Sequence, residues 1–426
     1  MNVKKEQLQV ERLGKTNHDS HLGIEKCCFI EENMRVLLSA RIGDKPVNGS
    51  LISFELAGPR KKLFFEPSKT NIGIVTCGGV CPGLNDVIRA IVYESYDDYK
   101  VNKVYGFRYG YKGMVKDNDI EPILLDTDIV NDIHEHGGTM LGASRGAQDS
   151  KKIVDYLLEL EISILFTIGG DGTLHGAAEI VDEIKRRKLD ISVIGIPKTI
   201  DNDIAFSEKT FGFETAVDES RKVIQSAHVE SKGIENGIGL VKLMGRKSGF
   251  IAAQATLANT DVNFCFIPEV KFKLDGKNGL LKILEERLKR RKHAVIVIAE
   301  GAGQEFFEGE NKVDASGNVL NKDIGILLKK EITEYFKNKN FPTSVKYIDP
   351  SYIIRSKPAN ANDSLFCLEL AQNAVHAAFS GRTNMLVGYI NHEYVNIPIP
   401  LAISKRKKID EMGRLWQTVV SVTEYR

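Results

Sequence analysis

An aspartate stands between glycines in residues 168–176, which read IGGDGTLHG. Glycine-rich turns at helix starts commonly bind phosphate, because bare backbone N–H groups and the positive end of the helix dipole face the anion. A carboxylate in such a turn would repel the phosphate unless a cation lay between the two. The pattern therefore predicts that Asp171 binds Mg²⁺ together with a phosphate ligand.

Two further carboxylates follow in residues 197–203, which read PKTIDND. Asp201 and Asp203 could divide two tasks, because one could help to hold a metal ion while the other accepts a proton. An Asp-Asn-Asp sequence also forms turns readily, so these residues taken alone leave a purely structural role open.

Short apolar runs lead into these motifs. Residues 71–77, 162–168 and 191–196 have the character of buried strands, and the first two are each followed by a glycine turn and a helical apolar pattern. Strand, helix and strand in succession predict a right-handed βαβ unit in a parallel sheet, whose ligands bind beyond the carboxyl ends of the strands. The glycine turns are therefore expected at that edge.

A second set of alternating helices and strands begins near Phe213. The predicted fold class is α/β, with two doubly wound, Rossmann-like lobes of mainly parallel sheet plus a small N-terminal extension. The extension comprises residues 1–70, and within it residues 58–67 indicate a linker because they combine Gly, Pro and basic residues. The basic run at residues 405–408 is expected to be a solvated surface.

Composition and charge argue against several classes of partner. Lys and Arg total 58 against 57 Asp and Glu, so the net charge of +1 gives no global reason to expect a nucleic acid or an acidic membrane. Six cysteines are too few for a disulfide framework, and their spacing does not suggest zinc. The polar amino terminus is unlike a signal peptide, and no apolar run is long enough to span a bilayer. We therefore expect a cytoplasmic protein with small-molecule partners.

Five motifs, in this order and spacing, resemble the phosphofructokinase family. They are GGDGT, PKTIDND, FGFETA, MGRKSGF and IAEG, and the similarity extends from residue 71 to near residue 400. The GGDGT turn alone would be weak, because NAD kinases and diacylglycerol kinases contain a similar turn. Within the family, the chain resembles the long ATP-dependent enzymes of plant and trypanosomatid type.

The resemblance implies the 6-phosphofructokinase reaction of glycolysis. In it the γ-phosphoryl group of ATP moves to the 1-hydroxyl of D-fructose 6-phosphate, giving fructose 1,6-bisphosphate and ADP with Mg²⁺ as cofactor. It also implies an allosteric, homotetrameric enzyme of the cytoplasm. Residues 71–212 and 354–400 would form the ATP-binding lobe, residues 213–353 the fructose 6-phosphate-binding lobe and residues 401–426 a C-terminal tail.

The same resemblance implies roles for individual acids and bases. Asp201 matches the family's base, which takes the proton of the attacking hydroxyl, while Asp171 and Asp203 match the acids associated with Mg²⁺. Arg145 matches an arginine that bridges the phosphates of the two substrates, a task that suits the five donors of a planar guanidinium. The implied catalytic residues are Asp201, Thr199, Arg246, Arg145 and Lys198.

Binding residues are likewise implied by the motifs. The nucleotide contacts would be Gly79, Tyr111, Arg145, Gly172, Thr173 and Gly176. The sugar phosphate contacts would be Thr199, Asp201, Met244, Gly245, Arg246, Glu300, Lys346, Tyr352 and Arg355. Tyr111 is equally consistent with simple packing. Tyr352 stands where the family often has a histidine, and Lys346 replaces an arginine, keeping its charge but losing its fork.

The family divides between ATP and pyrophosphate as phosphoryl donor. Pyrophosphate users usually have a second aspartate after GGD, whose bulk and charge occupy the room that the α-phosphate of ATP requires, and here that residue is Gly172. Lys198 is typical of pyrophosphate enzymes and of the plant and trypanosomatid group, so it keeps a pyrophosphate-dependent enzyme open. The argument at Gly172 favours ATP. A non-catalytic regulatory subunit is the alternative outside the enzymes.

Regulatory positions depart from the short bacterial pattern. Arg89 matches one effector-site arginine, but Tyr93 and Val262 replace two other members, so effector control of that type is not expected. Gly237 replaces an arginine that a neighbouring subunit lends to the sugar phosphate. Lys242 and Lys247 could substitute for it, although solvated lysines are the simpler interpretation.

Overall fold

The computed structural model of this chain describes residues 4–23, 28–40, 52–307 and 320–424. The strands in these ranges are β1 (Glu11–Arg12), β2 (His18–Asp19), β3 (Arg35–Leu37), β4 (Ser53–Leu56), β5 (Lys62–Leu63), β6 (Asn71–Thr76), β7 (Lys103–Phe107), β8 (Ile123–Leu125), β9 (Ile162–Gly169), β10 (Ser192–Pro197), β11 (Gly237–Leu243), β12 (Phe264–Phe266), β13 (His293–Ala299), β14 (Ser344–Ile348), β15 (Arg382–Thr383), β16 (Met385–Ile390) and β17 (Glu393–Pro398). The α-helices are α1 (Leu84–Tyr93), α2 (Ser150–Glu159), α3 (Asp171–Arg187), α4 (Phe213–Lys232), α5 (Phe250–Ala258), α6 (Leu280–Arg291), α7 (Ile324–Asn338), α8 (Ser351–Arg355), α9 (Ala361–Phe379), α10 (Ile399–Ala402) and α11 (Arg414–Val422). Shorter helical turns, 3-10 or π in type, lie at Lys5–Leu8, Pro67–Lys69, Glu94–Asp98, Gly110–Met114, Lys116–Asn118, Ile133–Glu135 and Gln304–Phe306.

The chain divides into two compact units. The first contains the described residues of Met1–Thr199, Ile204–Gly212 and Ser356–Arg406. The second contains the described residues of Ile200–Asp203, Phe213–Arg355 and Lys407–Arg426. Each unit is built around its own sheet, as the α/β prediction requires.

The sheet of the first unit has the strand order β3-β4-β17-β16-β10-β9-β6-β7-β8. The five strands from β16 to β7 are parallel, and antiparallel strands flank them on both sides. Strands β6 and β10 are buried along their whole length, because helices cover both faces of the parallel core. Helix α3 packs on β9 and β10, while α1 packs against α9. This arrangement confirms the predicted mainly parallel, doubly wound lobe.

Two strands of the N-terminal extension belong to this sheet, and the predicted linker is wrong. Strand β4 pairs with β17, and β3 pairs with β4. In the expected linker, β5 pairs with β2, and the Arg60 and Leu63 side chains are buried. The basic and glycine-rich composition suggested solvent, but the charge of Arg60 is met by Glu55, whose carboxylate lies 3.4 Å away.

The sheet of the second unit has the order β12-β13-β11-β14, and all its strands are parallel. Successive side chains of β13 point to opposite faces, so Val295 and Val297 pack in one cluster with α4, α5 and α11. Ile296 and Ile298 pack in a second cluster with α6 and α7. Two helical layers around a parallel sheet confirm that this lobe is doubly wound as well.

The second unit extends beyond the predicted ranges of 213–353 for the lobe and 401–426 for a separate tail. It continues to Arg355 and includes residues 200–203. The chain returns to this unit at Lys407. Helix α11 packs in its core through Trp416 and Val419, which are 8% and 0% exposed. In the part of the chain that the structure describes, no helix combines the length and apolar character needed to cross a bilayer.

Candidate active site

Asp171 is the first residue of α3, directly beyond the carboxyl end of β9. Gly170 is the N-cap in extended conformation, and Asp171 places a negative charge in the first turn, which the positive end of the helix dipole favours. Its side chain is 26% exposed, and its Oδ2 lies 2.6 Å from Nη2 of Arg406. The position is the one expected from the sequence, whereas the arginine partner is not.

The basic run 405–408 is not simply a solvated surface, and the expectation for it is wrong. Arg406 pairs with Asp171 and forms an antiparallel bridge with Ile204. Lys407 donates from its backbone N to the Asp203 carbonyl at 2.9 Å and from Nζ to Asn202 Oδ1 at 2.8 Å. Lysine-rich stretches are usually exposed to solvent, but here Arg406 and Lys407 bind acid and amide groups that are distant in sequence.

Tyr111 shapes the first turns of α3. Its ring is 7% exposed, and its hydroxyl donates to the Thr173 carbonyl at 2.8 Å. Burial raises the pKa of this phenol well above its ordinary value. A Cβ at Gly176 would lie 2.6 Å from the Tyr111 ring, so this position needs glycine for packing. Tyr111 therefore supports the helix start, and its role in nucleotide binding stays a prediction.

Gly172 differs from its neighbours in the same turn. No heavy atom lies within 4 Å of a Cβ built there, whereas a Cβ at Gly169 would lie 2.1 Å from Oγ1 of Thr173. Packing within the described structure therefore gives no reason for glycine at position 172.

Lys198 connects two loops of the first unit. The residue is 7% exposed, and its Nζ donates to the Gly79 carbonyl at 2.7 Å. Thr199, the next residue, accepts a hydrogen bond at its carbonyl from Thr210 Oγ1 at 2.6 Å. Arg145 lies in an exposed loop, next to Ser144, whose carbonyl accepts from the Gly78 N–H at 3.0 Å. The predicted nucleotide residues thus lie on several segments of the first unit: Gly79 follows β6, Tyr111 follows β7, Arg145 precedes α2, and Gly172, Thr173 and Gly176 lie in the first turns of α3.

Asp201 lies in the second unit, where its carbonyl accepts from Ser248 Oγ at 3.1 Å. Burial, together with the charges of Asp203 and Glu300, raises the pKa of Asp201 to about 7. A backbone hydrogen bond from Arg246 and the guanidinium charge of that residue act in the opposite direction. The aspartate therefore titrates in the range that suits a general base at neutral pH.

The MGR and AEG turns meet at the carboxyl ends of β11 and β13. The Glu300 N–H donates to the Leu243 carbonyl at 2.9 Å, and the Gly301 N–H donates to the Gly245 carbonyl at 3.1 Å. Gly245 has φ +127°, a conformation that L side chains rarely adopt. Met244 is 4% exposed and belongs to the core, so its predicted substrate role rests on its backbone position rather than on an exposed side chain.

Glu300 lies among charges that share this edge of the sheet. Burial raises its pKa, while Arg246, Lys242 and Arg355 each act to lower it. The structure therefore brings Arg246, Glu300, Asp201 and Arg355 into one electrostatic neighbourhood.

The two other predicted sugar phosphate residues lie in more open surroundings. Tyr352 is 83% exposed on α8. Lys346 lies within β14, opposite Gly239, and its Nζ is 3.8 Å from Oε1 of Glu230 on α4. Their assignments stay predictions.

The predicted metal ligands are carboxylates, the oxygen donors that Mg²⁺ prefers. Over residues 4–23, 28–40, 52–307 and 320–424, no cluster of three or more His, Cys, Asp or Glu side chains is arranged to hold a metal ion. Mg²⁺ commonly takes one or two protein carboxylates and completes its shell with water and substrate phosphates. Asp171 and Asp203 each supply a carboxylate of this kind, and their joint role in holding one ion stays a prediction.

The residues at the positions compared with the bacterial effector site make identifiable contacts. The Arg89 guanidinium lies 4.4 Å from the centroid of the Tyr93 ring and donates to the Asn131 carbonyl. Val262 is fully buried, and a Cβ at Gly237 would lie 2.3 Å from the Ser231 carbonyl oxygen. Glycine at position 237 is therefore required by packing.

Comparison with known proteins identifies the family. A phosphofructokinase family model matches residues 71–378. The chain is 49% identical over 403 residues to the ATP-dependent 6-phosphofructokinase of Borreliella burgdorferi, covering 93% of this chain and 90% of that one. It is 47% identical to the ATP-dependent 6-phosphofructokinase of Trypanosoma brucei brucei, covering 89% and 78%.

Solved structures agree at the level of the fold. A pyrophosphate-dependent phosphofructokinase from Marinobacter aquaeolei has a TM-score of 0.65 at 18% identity, over 84% of this chain and 92% of that one. A Pichia pastoris phosphofructokinase has a TM-score of 0.64 at 21% identity, over 79% of this chain and 35% of that one. With the matching family model and relatives near 50% identity, the chain belongs to the phosphofructokinase family.

Proposed function

We propose that this protein is an ATP-dependent 6-phosphofructokinase, which transfers the γ-phosphoryl group of ATP to the 1-hydroxyl of fructose 6-phosphate. The observation that carries the proposal is the surroundings of Asp201, a carboxylate with a pKa of about 7 that shares its neighbourhood with Arg246 and Glu300. Further support comes from relatives named ATP-dependent 6-phosphofructokinase, which are 46–49% identical to most of the chain.

Asp201 is the proposed base. At neutral pH a substantial fraction of this carboxyl is ionised and can accept the proton of the 1-hydroxyl as the bond to phosphorus forms. Arg246 and Thr199 are proposed to contact the transferring phosphoryl group, and Arg145 to lie between the phosphates of the two substrates. Guanidinium donors suit phosphoryl oxygens because several of them can be contacted at once.

Asp171 and Asp203 are proposed to hold Mg²⁺. When bound, the ion neutralises charge on the β- and γ-phosphate oxygens. Arg406 pairs with Asp171 and compensates the charge of that carboxylate.

Sugar phosphate recognition is assigned to the second unit. The Glu300 carboxylate can accept hydrogen bonds from sugar hydroxyls, and Arg355 supplies charge for the 6-phosphate. We extend the proposal to Tyr352 and Lys346, on the basis of their positions in the motifs.

ATP is the proposed donor because Gly172 has open space where a side chain would stand. Packing does not require glycine there, and the resemblance implies that an aspartate at this position would occupy the room that the α-phosphate needs. A pyrophosphate-dependent phosphofructokinase is the second candidate, because a lysine at position 198 is typical of pyrophosphate enzymes as well as of the plant and trypanosomatid ATP group.

One assay separates these candidates. Purified protein with fructose 6-phosphate is offered either ATP or pyrophosphate, and fructose 1,6-bisphosphate is measured by a coupled enzyme reaction. We expect turnover with ATP at a kcat/KM well above that with pyrophosphate. The reverse preference would establish the second candidate, and a folded protein without either activity would support a regulatory subunit.

Location and assembly extend the proposal. We propose a role in glycolysis in the cytoplasm and a homotetrameric, allosteric enzyme, on the basis of the family resemblance. Some relatives are named chloroplastic, so location differs within the family.

A further inference from the structure

Lys242 lies near the carboxyl end of β11, two residues before Met244. Its side chain is 11% exposed, and its Nζ lies 2.7 Å from Asp323 Oδ2 and 2.9 Å from Asp349 Oδ2. Tyr347 supports this arrangement, because its hydroxyl donates to Oδ1 of Asp323 at 2.8 Å. The lysine is therefore neither a solvated surface residue nor an ammonium awaiting a phosphate.

The charge of Lys242 is fixed by these partners. Burial alone would lower its pKa, but hydrogen bonds to Asp323, Asp349 and Tyr347 outweigh that effect and raise the pKa. The ammonium is therefore charged throughout the physiological range. With both carboxylates at hydrogen-bonding distance, it serves to connect them.

Asp349 links Lys242 to the start of α8. Its Oδ2 faces Lys242, while its Oδ1 accepts from the Ser351 N–H at 3.1 Å at the start of the helix. Helix α8 has only five residues, too few to be stable without tertiary contacts. Besides Asp349, the buried Ile354 side chain holds the helix to the core.

The helix held in this way carries Tyr352 and Arg355, and Arg355 acts on Glu300. The positive charges of Arg246, Lys242 and Arg355 all lower the pKa of Glu300, whereas Asp349 raises it. Lys242 therefore contacts Asp349, the acid just before the helix that carries Tyr352 and Arg355.

We propose that Lys242 is a positioning residue for sugar phosphate binding. Through Asp349 it fixes the start of α8 and so the place of Arg355 relative to Glu300. The inference rests on the proposed function, because it takes Arg355 and Glu300 as substrate contacts. It assigns to Lys242 a role that requires no contact with the substrate.

The test compares Lys242→Met and Asp349→Asn with wild type. We expect the KM for fructose 6-phosphate to rise about 10-fold or more in both variants, because a small displacement of binding groups has large effects. The KM for ATP should stay within about twofold, and kcat should change little. Lys330→Met, which removes a lysine whose side chain is 68% exposed on α7, is the matched control and should behave as wild type.

The double variant Lys242→Met/Asp349→Asn tests whether Lys242 acts through Asp349. If Lys242 acts through Asp349, the double variant should have nearly the same KM for fructose 6-phosphate as Asp349→Asn alone. Fully additive effects, an unchanged KM, or equal increases in both KM values would overturn the inference.

Hydrogen exchange gives a readout that does not depend on catalysis. Backbone amides of residues 351–355 should exchange faster in Lys242→Met than in wild type, while those of α4 stay protected. Unchanged exchange in α8 would overturn the inference even if activity fell. A wild-type protein that turns over no fructose 6-phosphate while α8 still loosens in Lys242→Met would contradict the proposed function and leave the structural link intact.

Discussion

The proposed role of Asp201 as the base predicts how the reaction depends on pH. Its pKa of about 7 means that the base is ionised above neutrality and protonated below it. We expect kcat/KM for fructose 6-phosphate to fall as the pH decreases through about 7 and to level off above pH 8. A profile that stays flat down to pH 5, measured with stable enzyme, would contradict the assignment.

Replacement of the same residue tests both its chemistry and its burial. Asp201→Asn should lower kcat by about 10²- to 10⁴-fold, the usual contribution of a general base, while substrates still bind. Since the folded-state pKa is raised, Asp201 contributes stability that is present below pH 4 and lost as the pH rises through about 7. Thermal unfolding at pH 8 should therefore show the asparagine variant to be the more stable protein, with a smaller difference at pH 5.

The prediction that ATP is the phosphoryl donor can be tested at Gly172. In Gly172→Asp the new carboxylate should repel the α-phosphate, and because like charges brought together cost several kcal/mol, kcat/KM for ATP should fall on the order of 100-fold or more. Gly172→Ala is the control for folding: no heavy atom lies within 4 Å of a Cβ there, so the variant should be as stable as wild type and, carrying no charge, should lose less kcat/KM for ATP than the aspartate variant. Undiminished ATP turnover in the aspartate variant would remove the argument.

At the scale of residues, the motifs predicted the identities of the site residues but not their partners. Asp171 and Asp201 follow from GGDGT and TIDND, since their chemistry is local to the motif. Arg406 and Lys242 were missed because the acids they contact lie far away in sequence, and only folding brings the charges together. A lysine inside an otherwise apolar strand run, IGLVKLMG, was the one available signal for Lys242.

The first turns of α3 depend on the fit between Gly176 and Tyr111. A Cβ at position 176 would lie 2.6 Å from the ring, so Gly176→Ala should lower the free energy of unfolding by about 1–3 kcal/mol. Tyr111→Leu removes the ring, and in that background the alanine should cost less. Urea titrations of the two single variants and the double variant measure this coupling. Additive effects would show that the ring does not cause the destabilisation.

At the scale of elements, long periodic segments were predictable and short paired strands were not. The run at 162–168 became β9 (Ile162–Gly169), and the run at 191–196 became β10 (Ser192–Pro197). Strands β4 and β5 have only four and two residues, and their partners β17 and β2 are not adjacent in sequence to them. Local patterns lack that pairing information, so the extension was expected to be separate.

At the scale of the whole chain, a buried charge network joins the N-terminal extension to the last strands of the first unit. Arg382 is 1% exposed and forms a short ion pair with Glu55 of β4. Its Nη2 also lies 2.8 Å from Glu32. Burial would raise the pKa of Glu55, but Arg382 and further donors outweigh this effect and lower it.

Loss of this arginine should therefore be costly. Arg382→Met leaves Glu55 buried with weaker partners, and we expect the free energy of unfolding to fall by about 3 kcal/mol, in the lower range for a broken buried pair because Arg12 and Arg60 remain nearby. Arg35→Met, in the exposed part of the same extension, should change it by less than about 1 kcal/mol. Urea unfolding followed by circular dichroism compares the two variants, and equal effects would contradict the importance of the network.

The position of Trp416 has a practical consequence for spectroscopy. It is the one tryptophan of the chain, and it lies at 8% exposure in the core cluster of α4, α5 and α11. Intrinsic emission excited at the red edge of the absorption band therefore originates in the second unit alone. A shift in the wavelength of that emission during denaturation therefore reports when the second unit unfolds. No engineered label is needed.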